Sequence, residues 1–189
     1  MENKFRLSNV AKDYLSSFYC ILDKMVKGMT EAKLNNSISD NFIIQMIPHH
    51  KAAIEMSENI LKYTTNVALQ DIAENIIKEQ TKSIDNMQKI QCACSEMTNS
   101  DRDVCLYQKR VKQILKTMFS QMRDACANNS VNCNFLREMI PHHMGAVRMS
   151  CNAFQYDICQ ELKPVLKSII ISQKKGISQM QHLLHVLNC

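Results

Sequence analysis

The sequence predicts an all-α fold in which two copies of a three-helix unit pack together as one domain. The pentapeptide Met-Ile-Pro-His-His occurs at residues 46–50 and again at 139–143, and this offset of 93 residues continues without a gap from about residue 8 onward. Within each copy, apolar residues recur at alternating steps of four and three, the spacing of amphipathic helices. Only three glycines and three prolines occur in 189 residues, fewer than a sheet protein needs for its turns.

The repeat defines two units, residues 1–96 and 97–189, joined by a linker of about ten residues from Cys94 to Asp103. Residues that occur in both units belong to a shared design, whereas residues in only one unit are later additions or noise.

The first helix of each unit is predicted at about 8–34 and 101–127, where an apolar stripe follows helical spacing. The sequence Asn-Asn-Ser follows each stripe, at 35–37 and 128–130. These residue types end helices and form turns, so a break is expected there.

The second helix is predicted at about 41–64 and 134–157, and it carries the repeated pentapeptide. Pro48 and Pro141 fall either in its first turn or one turn further inside. An interior proline would remove one hydrogen bond and bend the helix, and the sequence does not decide between the two placements.

The third helix is predicted at about 67–92 and 161–187, with one glutamine in each core-facing stripe. The second and third helices of both units are predicted to form a four-helix bundle, and the first helix of each unit flanks it.

Composition narrows the function. The chain is 46% hydrophobic, and its net charge of +5 comes from scattered basic residues, so it is globular with no indication of nucleic-acid binding. The polar N-terminal segment predicts no secretory signal, and no apolar run approaches the ~18 residues of a membrane span. A cytoplasmic location follows as an expectation, with the nine cysteines as free thiols.

The repeated stripes predict a soft-metal site, because imidazole and thioether groups together suit Cu(I) better than they suit cations that prefer oxygen. The candidate ligands are His49, His50, His142, His143, Met46, Met56, Met139, Met149, Met87 and Met180. Whether they form one shared site or two separate sites stays open.

A purely structural interpretation competes with the metal site. Methionine fills irregular helical cores without binding anything, and buried histidines need only a hydrogen-bond partner. Gln80 and Gln173 are the expected partners of His49 and His142.

A di-iron carboxylate site is disfavoured. Glu55 and Glu58 lie near the first pentapeptide, but Arg148 and Cys151 occupy the equivalent positions of the second unit. The mismatch of Gln45 with Glu138 counts against it as well, and a lone Cys-x-Cys at 92–94 is weak evidence for a thiolate site.

The segments QMIPHHKAAIEMS and EMIPHHMGAVRMS resemble the signature of domain-of-unknown-function family 305, as do the later stretches from Gln80 to Met87 and from Gln173 to Met180. The resemblance covers both units. It implies a ferritin-like four-helix bundle and a link to metals, chiefly copper, which has been suggested for some exported members.

This chain departs from the family pattern where many members carry glutamate, because Ser83 and Gly176 stand there. The change removes a candidate hard ligand or a partner for the histidines, and it leaves room for a ligand, a water molecule or closer helix packing. The expected cytoplasmic location and the longer first helix are further departures.

Three functions follow from these patterns. The first is a small metal-binding protein that sequesters or buffers Cu(I), and the second is a non-catalytic scaffold or interaction module with structural histidines. A metal-dependent redox enzyme ranks last, since nothing in the sequence demands catalysis. The expected partner is a metal ion, with no nucleic acid or membrane, and a homodimer stays open.

Overall fold

A computed structural model describes residues 6–125 and 127–189, and over these ranges the chain forms six α-helices and no strand. The helices are α1 (Asn9–Thr30), α2 (Ile38–Leu61), α3 (Val67–Ser95), α4 (Asp101–Arg123), α5 (Val131–Ala153) and α6 (Leu162–Val186). The all-α prediction is therefore confirmed. No helix of the described residues is long and apolar enough to cross a membrane.

Four helices form the centre of the bundle. Helix α2 packs against α3 and α5, and α6 packs against α5 and α3, so that each of the four contacts two others. Helices α1 and α4 lie outside this group, on α2 and α5 respectively. The predicted helical bundle is confirmed, and its core is filled by the apolar stripes of all six helices.

The Asn-Asn-Ser segments set where α2 and α5 begin. The Ser37 hydroxyl accepts a hydrogen bond from the Asp40 backbone N–H, and the Ser130 hydroxyl accepts one from Cys133. These N-caps start both helices three residues earlier than predicted, at Ile38 and Val131 rather than at about 41 and 134. The preceding helices end earlier than predicted, α1 at Thr30 and α4 at Arg123.

Pro48 and Pro141 lie in the interior of α2 and α5, which decides the question that the sequence left open. A proline has no N–H, so neither Pro48 nor Pro141 can donate the usual backbone hydrogen bond of a helix interior. Gly28 of α1 packs on the first proline: a Cβ atom at Gly28 would lie 2.9 Å from the Cβ of Pro48. Glycine therefore permits the close approach of α1 to α2.

The linker between the units is shorter than predicted, because α3 continues to Ser95 and Ser100 caps α4. Asn99 lies within this short linker. Its carboxamide accepts a hydrogen bond from the Ile38 N–H at 2.9 Å and donates one to the Asp157 carbonyl at 2.7 Å. The linker is thus tied to both units.

The expectation of free thiols is wrong for four cysteines. The structure joins them in two disulfides, with Cα–Cα distances of 5.4 and 5.5 Å: Cys94–Cys159 and Cys133–Cys189. The remaining described cysteines are exposed and free: Cys20, Cys92, Cys105 and Cys151. The ninth, Cys126, and the first five residues of the segment used to exclude a secretory signal lie outside the described residues. Disulfides persist in oxidising compartments, so they do not support the predicted cytoplasmic location.

Candidate metal centre

His49 of α2 and His142 of α5 meet face to face in the centre of the bundle. Their ring centroids lie 3.7 Å apart with an interplanar angle of 29°. The Nε2 atom of each ring lies 3.2 Å from the backbone carbonyl oxygen of the other histidine. Both residues are fully buried, so reciprocal hydrogen bonds join α2 to α5 in the core.

These hydrogen bonds determine the tautomer of both rings. A carbonyl oxygen only accepts, so Nε2 of each imidazole must carry the proton and donate it. The Nδ1 atom of each neutral ring is then a bare acceptor. The Nδ1 atoms of His49 and His142 are buried without a hydrogen-bond partner. A buried acceptor without a partner is costly for stability and is also the atom that a metal ion would take.

The adjacent histidines reach towards the third helix of each unit. His50 Nε2 lies 3.0 Å from the Ser83 hydroxyl of α3. His143 faces Gly176 of α6, where a Cβ atom would lie 3.0 Å from the His143 Cδ2 atom and 3.1 Å from its Nε2 atom. The small residues noted in the sequence therefore make room for these two rings. The Nδ1 atom of His50 is also buried without a partner.

All four imidazoles are neutral near pH 7. Burial lowers the pKa of His50 to about 3, with a smaller contribution from His142. Burial also lowers the pKa of His142 to about 4, although its hydrogen bond to the His49 backbone raises it in part. The pKa values of His49 and His143 are also lowered, first by burial and then by the neighbouring imidazoles. Neutral imidazole is the form that binds metal, so an ion would not have to displace protons from these rings.

The methionine side chains of the candidate site all lie in the core, with at most 1% of their surface exposed: Met46, Met56, Met87, Met139, Met149 and Met180. They come from the same four central helices as the histidines and glutamines. The predicted ligand set is thus drawn entirely from the interior of the bundle.

Gln80 and Gln173 are buried on α3 and α6, but the structure does not pair them with His49 and His142, whose partners are backbone carbonyls. The Oε1 atom of each glutamine has no hydrogen-bond partner. Both line a cleft of about 570 Å³ between α3 and α6, which also reaches His143. A smaller cavity of about 30 Å³ beside them is lined by His50 and Ser83.

Sequence reasoning missed a buried pair beside this centre. Glu138, one helical turn before His142, accepts a hydrogen bond from the Tyr14 hydroxyl at 2.7 Å. Burial raises the pKa of Glu138 to about 8, although the Tyr14 hydrogen bond lowers it in part. Its position four residues before a core histidine was the available signal. Glu138 was not kept as a candidate site residue, because Gln45 stands at the equivalent position of the first unit.

The histidines alone do not form a finished metal site. Among the described residues, no three of these rings place one nitrogen each within 4.8 Å of one another. Any site that uses them must therefore be completed by the methionine thioethers or by a shift of side chains.

The family model described as "Domain of unknown function (DUF305)" matches residues 39–184 of this chain. The fold is similar to a solved structure described as "CopM in the Ag-bound form (by soaking)", with a TM-score of 0.57 and 28% identity over 78% of this chain and 94% of that chain. It is also similar to "CopM in the Cu(II)-bound form", with a TM-score of 0.58 and 26% identity over 79% of this chain and 97% of that chain.

A fragment of a DUF305 protein from Deinococcus radiodurans has a TM-score of 0.58 and 18% identity, over 82% of this chain and 97% of the fragment, and this likeness supports the fold alone. No curated protein matches the chain.

Proposed function

The chain belongs to the DUF305 family, and from that premise we propose that it binds a soft metal ion, Cu(I), and sequesters or buffers it in the bundle core. The proposed ligands are the histidines and methionines of the repeated motif. The similar CopM structures were solved with silver and with Cu(II), which supports metal binding as the class of function.

One observation carries this proposal. His49 and His142 each hold a deprotonated Nδ1 atom in the core with no hydrogen-bond partner, while the opposite ring nitrogen is anchored to a backbone carbonyl. Metal-binding histidines commonly donate their other N–H to a carbonyl in this way, which orients the ring and raises its basicity.

The helices that carry these nitrogens, and the two helices packed against them, also offer soft ligands. Thioether sulfur is a soft ligand, and six buried methionines come from the same four helices. The one buried carboxyl near the centre, Glu138, has a pKa raised to about 8 and is mostly protonated at pH 7, so it offers little attraction to Mg²⁺ or Ca²⁺. Cu(I) therefore fits the donor set better than these cations.

Burial of the ligands favours retention of a bound metal ion over catalytic turnover at the ion. His49, His50 and His142 have 0% of their surface exposed, and a bound ion would be shielded from water and oxidants. The cleft between α3 and α6 reaches His143 from the surface, and we propose it as the path by which the ion enters.

We further propose that the bundle is a ferritin-like arrangement built from a duplicated unit, residues 1–96 and 97–189. Equivalent contacts 93 residues apart support this proposal. Tyr14 meets Tyr63 edge to face with ring centroids 5.9 Å apart, and Tyr107 meets Tyr156 in the same way at 5.8 Å.

The test is an anaerobic competitive Cu(I) titration of the reduced protein, beside the double variant His49→Ala/His142→Ala. We expect tight binding at low stoichiometry that the variant loses while it keeps its helical circular dichroism. A variant in which the four exposed cysteines are replaced by serine removes those four thiols as competing Cu(I) ligands and should retain the site. Unchanged Cu(I) affinity in the histidine variant would contradict the proposal.

A second function, a scaffold with structural histidines, is favoured by the reciprocal hydrogen bonds of His49 and His142, which already hold both rings. Thermal unfolding separates the two. Cu(I) at a hundredfold excess over its dissociation constant adds about 2.7 kcal/mol to the stability of a binding protein. A scaffold would show no change in melting temperature.

A further inference from the structure

A second group of metal-binding side chains lies outside the histidine centre. Cys94 is at the C-terminal end of α3, and Cys159 and Glu161 lie in the segment that leads into α6. The two sulfur atoms and one carboxylate oxygen of Glu161 lie within 4.8 Å of one another. Within residues 6–125 and 127–189, no other three histidine, cysteine or acidic side chains meet in this way.

The two cysteines are held by the first turn of α2. The Ser37 hydroxyl donates a hydrogen bond to the Cys94 carbonyl, and the Cys159 N–H donates one to the Ser39 hydroxyl, both at 2.9 Å. Cys94 is fully buried and Cys159 is 6% exposed. These backbone contacts do not involve the sulfur atoms, so the position of both cysteines does not depend on the disulfide alone.

Glu161 brings a carboxylate with no capping role. It occupies the N-cap position of α6, but its side chain makes no hydrogen bond to the backbone of that helix. The side chain is exposed, so the site is open to solvent on one side and buried on the other. The second disulfide, Cys133–Cys189, has no such third ligand among the described residues.

We propose that Cys94, Cys159 and Glu161 bind a zinc ion when their disulfide is reduced, with water as the fourth ligand. Two thiolates and a carboxylate are common zinc ligands in a tetrahedral site. Cu(I) favours soft ligands, so the carboxylate distinguishes this site from the histidine–methionine centre. None of the proposed copper ligands takes part, and the two proposals can fail separately.

Zinc binding and the disulfide exclude each other, because both use the same two sulfur atoms. A small-molecule disulfide would oxidise the cysteine pair in two exchange steps. One cysteine thiolate attacks it, forming a mixed disulfide and releasing one small thiolate. The second cysteine thiolate then attacks the mixed disulfide at the protein sulfur, closing the Cys94–Cys159 bond and releasing the other small thiolate. Two electrons pass to the small disulfide, and the zinc ion leaves.

The test is a titration of the reduced full-length chain with Co(II) and then Zn(II), under anaerobic conditions. We expect one Co(II) ion with thiolate-to-cobalt charge-transfer absorption, displaced by one Zn(II) ion. The disulfide form should lack this absorption. If the oxidised and reduced chains bind Co(II) with the same spectrum, the proposal is wrong.

The second disulfide provides a matched control. Cys94→Ser/Cys159→Ser should abolish the charge-transfer absorption, whereas Cys133→Ser/Cys189→Ser should retain it. Glu161→Gln changes an exposed side chain and should fold normally. It should weaken zinc binding at least tenfold, since loss of a residue outside the ligand set already costs about that much. Equal loss in both cysteine variants, or wild-type affinity in Glu161→Gln, would overturn the assignment.

Discussion

The two Met-Ile-Pro-His-His segments occupy equivalent places in the bundle but have different surroundings. Their shared framework is closely matched: Asn59 donates to the Tyr14 carbonyl at 3.1 Å, and Asn152 donates to the Tyr107 carbonyl at 3.3 Å. These contacts pin the first helix of each unit to the second helix. Contacts that recur at equivalent positions therefore indicate which interactions stabilise the shared fold.

The differences lie next to the histidines. His50 contacts a hydroxyl at Ser83, whereas His143 faces Gly176 and the larger cleft. The second difference is an ionisable group, since Glu138 stands where the first unit has Gln45. The two segments therefore share matched contacts and differ at the candidate site, so swapping residues between equivalent positions can test which differences matter.

The largest expected effect is acid destabilisation, which should involve both units equally. The four core histidines have pKa values lowered by burial, so the unfolded chain binds more protons below pH 6.5. Their contribution to stability is complete above that pH and is lost as pH falls towards 4 and then 3. Each histidine contributes a slope of up to about 1.4 kcal/mol per pH unit.

Urea unfolding between pH 7.5 and 4 measures this slope. His182→Ala/His185→Ala is the matched control, since it removes two exposed histidines of α6 and leaves the core unchanged. A free energy of unfolding that stays flat from pH 7 to pH 5 would show that the core histidines do not resist protonation.

The next largest effect should belong to the second unit alone. The pKa of Glu138 is about 8 in the folded protein and ordinarily near 4.5, so the unfolded chain ionises first as pH rises. The contribution of Glu138 to stability should therefore fall between pH 4.5 and 8, by up to about 1.4 kcal/mol per pH unit, which opposes the larger change from the histidines below pH 6.5. Glu138→Gln should remove this fall and keep an acceptor for Tyr14.

The reverse swap sharpens the comparison. Gln45 is 3% exposed, so Gln45→Glu should bury a carboxyl in the first unit. The free energy of unfolding of this variant should then show a similar loss as pH rises. Chemical unfolding at several pH values measures both variants. Parallel profiles of unfolding free energy against pH for wild type and Glu138→Gln would refute the attribution of this loss to Glu138.

A smaller difference is expected between the two matched tyrosines. The Tyr14 hydroxyl donates to Glu138, whereas the Tyr107 hydroxyl is buried without a partner. Tyr14→Phe leaves a buried carboxyl without its donor and should cost about 1–3 kcal/mol. Tyr107→Phe should be neutral or stabilising. Denaturant unfolding at pH 7 compares the two variants. Equal losses in the free energy of unfolding would contradict a stabilising Tyr14–Glu138 hydrogen bond.

The smallest effect concerns the hydroxyl beside His50. Ser83→Ala removes one hydrogen bond and should cost about 0.5–1.5 kcal/mol. Ser168→Ala, at an exposed position of α6, is the control and should be neutral. Equal free energies of unfolding for both variants would show that Ser83 does not hold the ring.

Local patterns predicted the helices well and their ends less well. The stripes identified all six helices, since burial of an apolar face imposes helical spacing on the sequence itself. The early starts of α2 and α5 depend on the Ser37 and Ser130 caps, whose residue type was noted as a turn signal rather than a cap. Interior placement of Pro48 was undecidable, because packing of α1 against α2 compensates for a missing hydrogen bond.

Comparison of the two repeats helped to predict the fold, but it was misleading for the choice of site residues. It brought His49 and His142 to notice, and the structure stacks them. The same comparison excluded Glu138 from the candidate site residues, because glutamate occurs at this position in only one of the two units. Buried polar residues that break the repeat thus merit the same attention as those that follow it.

The sequence by itself determined the all-α class, the helical bundle and the core location of the histidines and methionines, because these depend on short-range periodicity. Only the tertiary structure decided which groups meet. The reciprocal His49–His142 hydrogen bonds and the Cys94–Cys159 pair join residues 93 and 65 positions apart. Such contacts depend on how helices pack, and no local spacing encodes the distance between atoms on different helices.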